Sequence, residues 1–293
     1  MESDLMDPRL DERPEHASAA VAAMLAPQVE YLRQVATAGK GYKEMSYELL
    51  HLRPGQQVLA AGCGDGGDLL ELADRVGETG RVVGLCPDWE VWRAAQHTVA
   101  GRPNIQVGVG QVEHLGFAEG VRFHRVRADW VLQDVTQPWV AVAKLWHVVA
   151  PGGLLELVEP DWNALMLFPA ASAGGSQYHT LHAIQEWQQR LVRHPLMGRQ
   201  LTGLLHQQSQ REAIAFNVGS LEWTDWQEAD KILRLSVAAR ALAQAQPAWK
   251  GEIDAWLRAL EAATRHGEFL ASLPLVFARA WKEWYVPLAG RGE

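Results

Sequence analysis

The sequence predicts an α/β protein built on an open, mostly parallel sheet with a helical cap. Three observations carry this. Short apolar runs alternate with helix-prone stretches between residues 57 and 158, and a glycine-rich turn at 62–67 joins the first run to its helix. After residue 163 the pattern switches to helical segments rich in Gln, Ala, Leu and Trp. Strands that alternate with helices join through right-handed crossovers into a parallel sheet. A length of 293 residues suits one large domain with an elaboration.

The elements follow in order. Residues 1–17 are polar and charged, so they predict a loose arm and no signal peptide. Residues 18–37 are helix-prone, with Pro27 marking a break. A second helical run, 43–52, is closed by the turn signal Arg53-Pro54-Gly55. The run 57–61 predicts a buried strand. Helix 68–76, strand 81–85, helix 88–100, strand 105–109, strand 123–130, helix 139–149 and strand 154–158 follow. Residues 177–210 and 225–265 predict helices around a strand at 213–223, and 273–281 predicts the last strand. The expected organisation is an arm with lid helices at 1–42, a pocket core at 43–163, and a cap at 164–293 that also supplies the last two strands.

Composition narrows the function. Lys plus Arg is 27 against 35 Asp plus Glu, a net charge of −8 with no basic run; this predicts a small-molecule rather than a nucleic-acid partner. The apolar stretches are too short for a membrane span. Two cysteines make no disulfide framework, and a cytoplasmic location is expected. No Cys or His pair shows ligand spacing, so no metal is expected. Tryptophan is abundant, 13 against 5 Tyr and 6 Phe. Most should pack cores, but some suit a pocket for a flat ligand. The sequence leaves the oligomeric state open.

The glycine turn has a physical purpose. Glycines permit positive φ and close backbone approach, and the helix that follows offers unpaired N–H groups to a polar ligand. Gly62, Gly64 and Gly67 also satisfy GxGxxG, so the turn by itself leaves a dinucleotide site open.

The wider pattern separates these alternatives. LRPGQQVLAAGCGDG (52–66) resembles the first motif of class I S-adenosylmethionine (SAM) methyltransferases. RVVGLCP (81–87), GQVEHLGF (110–117), RADWVLQ (127–133) and VAPGG with LLELVEPDW (149–162) resemble the later motifs in order. The tail, 252–282, is similar to the last helix and strand of the small-molecule, ubiquinone/menaquinone-methyltransferase-like branch. This resemblance covers about residues 28–282. It implies a Rossmann-like, seven-stranded sheet with its last strand antiparallel. It also implies a SAM pocket in which Gly62, Gly64, Asp65 and Gly66 shape the methionine side, Cys86 and Pro87 face the ribose, and Gln111 and Val112 face adenine. Asp129 and Trp130 then sit beside the methionine group and the substrate.

The departures from the family pattern matter as much. The family has acids where this chain has Ala60, Cys86 and Gln111. Charge-assisted hydrogen bonds contribute roughly 1.5–3 kcal/mol each, so losing the ribose and adenine acids weakens SAM binding unless Asp88, Asp65 or Asp68 replaces them. The expected function is methyl transfer from SAM to a small aromatic or heterocyclic metabolite. The alternative is SAM-independent chemistry on the same fold, such as demethylation, group removal or cyclisation, with no cofactor; a non-catalytic partner protein is the third. Cys86 and Cys63 are expected to pack as small apolar residues. His114 is the candidate general base and Asp161 the candidate substrate acceptor. Tyr31, Trp130, Trp162, His179 and His182 are the candidate substrate contacts.

Overall fold

A computed structural model describes residues 28–117, 120–168, 175–209 and 214–283. Two helices, α1 (Gln28–Ala38) and α2 (Lys40–Leu49), precede five strands with three helices between them: β1 (Gln57–Ala61), α3 (Gly67–Val76), β2 (Arg81–Cys86), α4 (Trp89–Thr98), β3 (Ile105–Val109), β4 (Phe123–Asp129), α5 (Pro138–His147) and β5 (Val149–Pro160). Then come β6 (Met166–Phe168), α6 (Gly175–Gln189), α7 (Met197–Gln208), β7 (Ile214–Trp223), α8 (Trp226–Leu233), α9 (Leu235–Ala245), α10 (Lys250–His266) and β8 (Leu270–Trp281).

The sheet order is β3-β2-β1-β4-β5-β8-β6, with β7 on the other side of β8. Strands β1 to β5 are parallel, and β8 runs antiparallel to β5, β6 and β7. The sheet has eight strands rather than seven. The eighth, β6, is three residues long and extends the line of β5 along β8. Its Met166 and Phe168 are exposed, so it carries no buried run that a sequence pattern would reveal.

The two long helical stretches are broken, and each break has a cause. Residues 177–210 divide into α6 and α7 around His194-Pro195, because proline cannot donate the helical N–H bond. Residues 225–265 divide twice. Pro247 separates α9 from α10, and Arg234 takes a left-handed conformation, φ 52°, between α8 and α9. The Asp230 carboxylate secures that corner by accepting from the Ser236 N–H and hydroxyl. The residues 18–27 and the arm 1–17 lie outside the described residues.

Three apolar clusters result. One face of the sheet packs on α2, α3 and α4, and the other on α5 and α7. The third cluster joins Val35 and Tyr42 with Trp162, α6, the helices α8 to α10 and the adjoining part of β8. Trp226 sits edge-on between Trp256 and Phe269 there, so several of the many tryptophans do build core.

Charge is buried inside the first face. Arg127 of β4 is 1% exposed. Its guanidinium meets Asp68 at 3.0 Å, Asp129 at 2.7 Å and Glu156 at 3.6 Å, and donates to Ser46 Oγ. Lys43 adds a second cation to Asp68 at 2.6 Å. Burial pushes the Asp68 carboxyl up, but Lys43 and Arg127 outweigh it and hold it below the usual range. Burial wins at Glu156, whose carboxyl rises to about 7 despite Arg127 and Ser46.

That shift has a pH signature. A folded pKa near 7 against an unfolded 4.5 means the native state binds the proton more tightly. Stability from this group is complete below about pH 4.5 and is lost as pH rises towards about 7, on the order of 3 kcal/mol by linkage. Glu156→Gln is expected to flatten urea-denaturation stability between pH 5 and 8. A variant whose stability still falls with the wild-type slope would show that another group titrates.

Candidate functional site

The site forms where the parallel strands end. Strand order reverses between β1 and β4, and open α/β sheets bind ligands in the crevice at such a point. The turn from β1 to α3 closes one side. Gly62, Gly64 and Gly66 all take positive φ, at 72°, 54° and 93°. At Gly62 a Cβ would lie 2.4 Å from Val131 Cγ2 and 2.8 Å from the Asp129 carbonyl, so only glycine lets this turn meet the end of β4. At Gly66 a Cβ would press on the Ala95 backbone of α4 at 3.0 Å. Gly64 differs, since nothing among the described residues lies within 4 Å of its Cβ direction. Neither Gly64 nor Asp65 gives its N–H to a backbone carbonyl among the described residues. The turn therefore presents an open, donor-bearing surface at its tip.

The opposite wall is the exit of β4. Trp130 is held at φ 53°, a conformation that costs a bulky residue about 1–3 kcal/mol. Its ring packs edge-on to Trp162 at 5.7 Å, and its indole N–H is buried with no partner among the described residues. Glu159, fully buried at the end of β5, fixes the turn that follows by accepting from the N–H groups of Val131, Leu132 and Gln133. Gln133 in turn accepts from the Trp162 indole at 2.7 Å. Backbone strain maintained by a buried carboxylate is typical of functional positions.

Helix α1 packs against α4 and α8. Arg33 reaches Asp65 at 3.4 Å. Tyr31 donates to the Ile232 carbonyl, and the Arg234 guanidinium lies 3.5 Å from its ring centroid. Burial pushes the Tyr31 hydroxyl up to about 12, against the pull of Arg234. Asp134 belongs to the same group, since its charge acts on Tyr31 and it feels Arg193 and Arg234. Asp134 is exposed at its surface, although the bulk of chain around it raises its carboxyl to about 6.

The predicted residues divide between this crevice and its surroundings. Gly62, Gly64, Asp65 and Gly66 form the turn after β1, Trp130 is half-buried at the β4 exit with Trp162 buried beside it, and Tyr31 lies on α1 against Ile232 and Arg234. Asp129 ends β4, but its carboxylate is already taken by Arg127 and Tyr42. Cys86 is fully buried, its sulfur 2.8 Å from that of Cys63, so its side chain is turned into the fold; Pro87 follows it. Asp88 caps α4 by accepting from Glu90 and Val91. Gln111 is half-buried and Val112 buried beside the end of β3. His114 is exposed at the end of the 112–114 turn. Asp161 caps the 162–164 turn and pairs with Arg199 at 2.6 Å. His182 is exposed on α6 beside Glu186; of His179, only the backbone, in α6, is described.

Sequence reasoning missed Asp134, Arg234 and Arg193. Arg234 left one faint trace, a cation between two apolar helical runs where a turn was needed. No group of three or more His, Cys, Asp or Glu residues suited to a metal occurs among the described residues, and none of their helices is long and apolar enough to cross a membrane.

Comparison with known proteins fits this geometry. Residues 58–153 match the family described as methyltransferase domain. A 37.1 kDa protein of transposon TN4556 from Streptomyces fradiae is 34% identical over 71% of this chain and 59% of its own length. The tRNA (adenine(58)-N(1))-methyltransferase of Thermus thermophilus is 34% identical over 50% of this chain and 58% of its own. Demethylmenaquinone methyltransferase of Desulfitobacterium hafniense is 29% identical over 41% and 50%. The chain thus spans less than two thirds of the length of these relatives. By their names, one of them acts on tRNA and another on demethylmenaquinone, so they do not choose between nucleic acid and small molecule. Among solved structures, the YcgJ protein of Bacillus subtilis superimposes with a TM-score of 0.55 at 14% identity, covering 82% of this chain and 97% of its own. A Haemonchus contortus phosphoethanolamine N-methyltransferase in complex with SAM gives 0.52 at 14%, covering 92% and 61%.

Proposed function

We propose that this chain, whose residues 58–153 belong to the methyltransferase-domain family, transfers a methyl group from SAM to a small, flat acceptor held between α1 and the β4 exit. The observation that supports it best is the contact of Gly62 with the β4 exit, which leaves the tip of the glycine turn open at the reversal of strand order.

The fit to SAM is uneven along the crevice. The methionine end is served by the open N–H groups of Gly64 and Asp65. The adenine end has the Gln111 amide, which accepts through its oxygen. The ribose end lacks its carboxylate, because Cys86 is buried against Cys63 and Asp88 is spent on α4. When bound, SAM supplies an electrophilic methyl group. The protein has to align the acceptor, exclude water and take up a proton. Trp130, half-buried and backed edge-on by the buried Trp162, offers an aromatic face and an unpaired indole N–H that a ring could approach if the exit opens. Arg234 and Tyr31 shield the recess. Asp134, exposed and with its carboxyl raised to about 6, is the candidate proton acceptor.

Calorimetric titration with SAM and S-adenosylhomocysteine tests the cofactor. Binding in the range of about 10–500 μM is expected, weaker than a site with all three acids by the missing charge-assisted bonds. No heat at millimolar ligand would remove the proposal. It would favour the second reading, SAM-independent chemistry in the same recess, for which the sealed ribose position speaks. Asp134 is expected to give a carboxyl ¹³C titration with a midpoint near 6 that vanishes in Asp134→Asn. A midpoint near the ordinary 4 would remove it as the base.

A further inference from the structure

Two thiols face each other beneath the glycine turn. Cys63 and Cys86 are 3% and 0% exposed, and their sulfurs are 2.8 Å apart. That is inside the van der Waals contact of two sulfur atoms and outside a covalent bond of about 2.05 Å. The backbone explains the approach. Ala61 pairs in register with Leu85, and the N–H groups of Gly62 and Cys63 both point at the Leu85 carbonyl. The turn is thereby pinned over the end of β2. The position a Cβ would take on Gly84 lies 3.3 Å from the Cys63 Cβ. Residues 84 and 86 share a face of β2 because strand side chains alternate, so Cys63 sits above Gly84 with its sulfur directed at Cys86. A side chain at 84 would clash with Leu69 at 2.6 Å and crowd Cys63 as well.

We infer that Cys63 and Cys86 are a modification site, a pair that closes into an intramolecular disulfide and so ties the glycine turn to the tip of β2. An exchanging disulfide such as oxidised glutathione is the oxidant. The Cys63 thiolate attacks it and releases one glutathione thiolate. The Cys86 thiolate then displaces the second from the mixed disulfide. Two protein thiols lose two protons and two electrons, and the oxidant becomes two thiols. Burial and the Cys86 sulfur push the Cys63 thiol well up, so attack is slow in the closed fold and needs the turn to open. That opening has to release the Gly62 and Cys63 N–H groups from the Leu85 carbonyl. The bond would then fix the turn at the position where an adenosine ribose is expected, a consequence that rests on the cofactor proposal.

The test uses the full chain, reduced or refolded from urea in glutathione buffers with excess oxidised form, then alkylated in denaturant and weighed. The expected product is a single unalkylated species two hydrogens lighter, absent from Cys63→Ser and Cys86→Ser. Two alkylated cysteines, or glutathione adducts in place of the internal bond, would overturn the inference. Amide exchange at residues 62–67 is expected to slow about tenfold on oxidation, and unchanged exchange would refute the tie on the turn. S-adenosylhomocysteine is expected to bind the two forms with different affinity. Binding by neither form would count against the cofactor alone, because mass and exchange are read without ligand.

Discussion

Glu159→Ala is expected to lower stability by about 4 kcal/mol and to abolish ligand binding in the crevice. The carboxylate accepts three backbone N–H groups, from Val131, Leu132 and Gln133, and is fully buried. Each buried donor left without an acceptor costs about 1–3 kcal/mol, and the three share one group, so their losses do not simply add. Alanine also opens a cavity at the end of β5, through which water can reach some of the donors. The local consequence is larger than the global one. Trp130 keeps its left-handed backbone only while the turn after it is fixed, and release of that turn lets the indole swing away from Trp162. Glu159→Gln retains one acceptor oxygen and should lose about half as much. Urea denaturation measures the cost, and Trp fluorescence reports the ring. If Glu159→Ala unfolds with wild-type stability, the turn is held by packing and the carboxylate is incidental.

This turn also shows what could be read from the sequence. Strands β1, β2, β3 and β5 were legible as largely apolar runs bounded by Gly, Pro or charge, β4 by its place between them despite His124, Arg125 and Arg127, and the glycines at 62, 64 and 66 marked the turn after β1. The crossovers needed no more than the alternation of strand and helix. What stayed hidden depends on residues distant in sequence. Glu159 was placed at the carboxyl edge, but its partners lie 26 to 28 positions earlier. Asp134 looks like any loop acid until Arg193, Arg234 and Tyr31 are brought beside it from three other elements. Cys86 was expected to pack as a small apolar residue and does, but that its partner is Cys63 depends on the register of β1 and β2 and could not be read from the chain. Helix breaks at Pro195 and Pro247 were visible as residues and underweighted beside long runs of good helix formers.

Arg127 carries the other large expected effect, and it bears on why the acid expected in β1 is missing. Ala60 and Arg127 are register partners on adjacent parallel strands, so their side chains leave the sheet on the same side. The resemblance implies a carboxylate at position 60; here its neighbour is a buried cation, neutralised by Asp68 from α3, Asp129 from β4 and Glu156 from β5. Arg127→Met leaves Asp68 and Asp129 facing the protonatable Glu156, with Lys43 paired to Asp68 and Arg279 acting on Glu156 as the remaining counter-charges named among the described residues. Removing one partner of a buried ionic network costs about 3–5 kcal/mol, most of it from the charges left behind. Arg127→Lys should recover only part, since one ammonium cannot span three carboxyls as a planar guanidinium does. A further Asp68→Asn in the Arg127→Met background should restore some of the loss, and the double-mutant cycle measures how much is coupling. The same reasoning sets the outcome of restoring the family acid. Ala60→Asp adds a carboxylate to a buried group already balanced by acids, so it is expected to destabilise the fold and leave S-adenosylhomocysteine affinity unimproved. Tighter binding by Ala60→Asp without loss of stability would mean that Arg127 has spare charge to share, and that the position was vacated rather than reassigned.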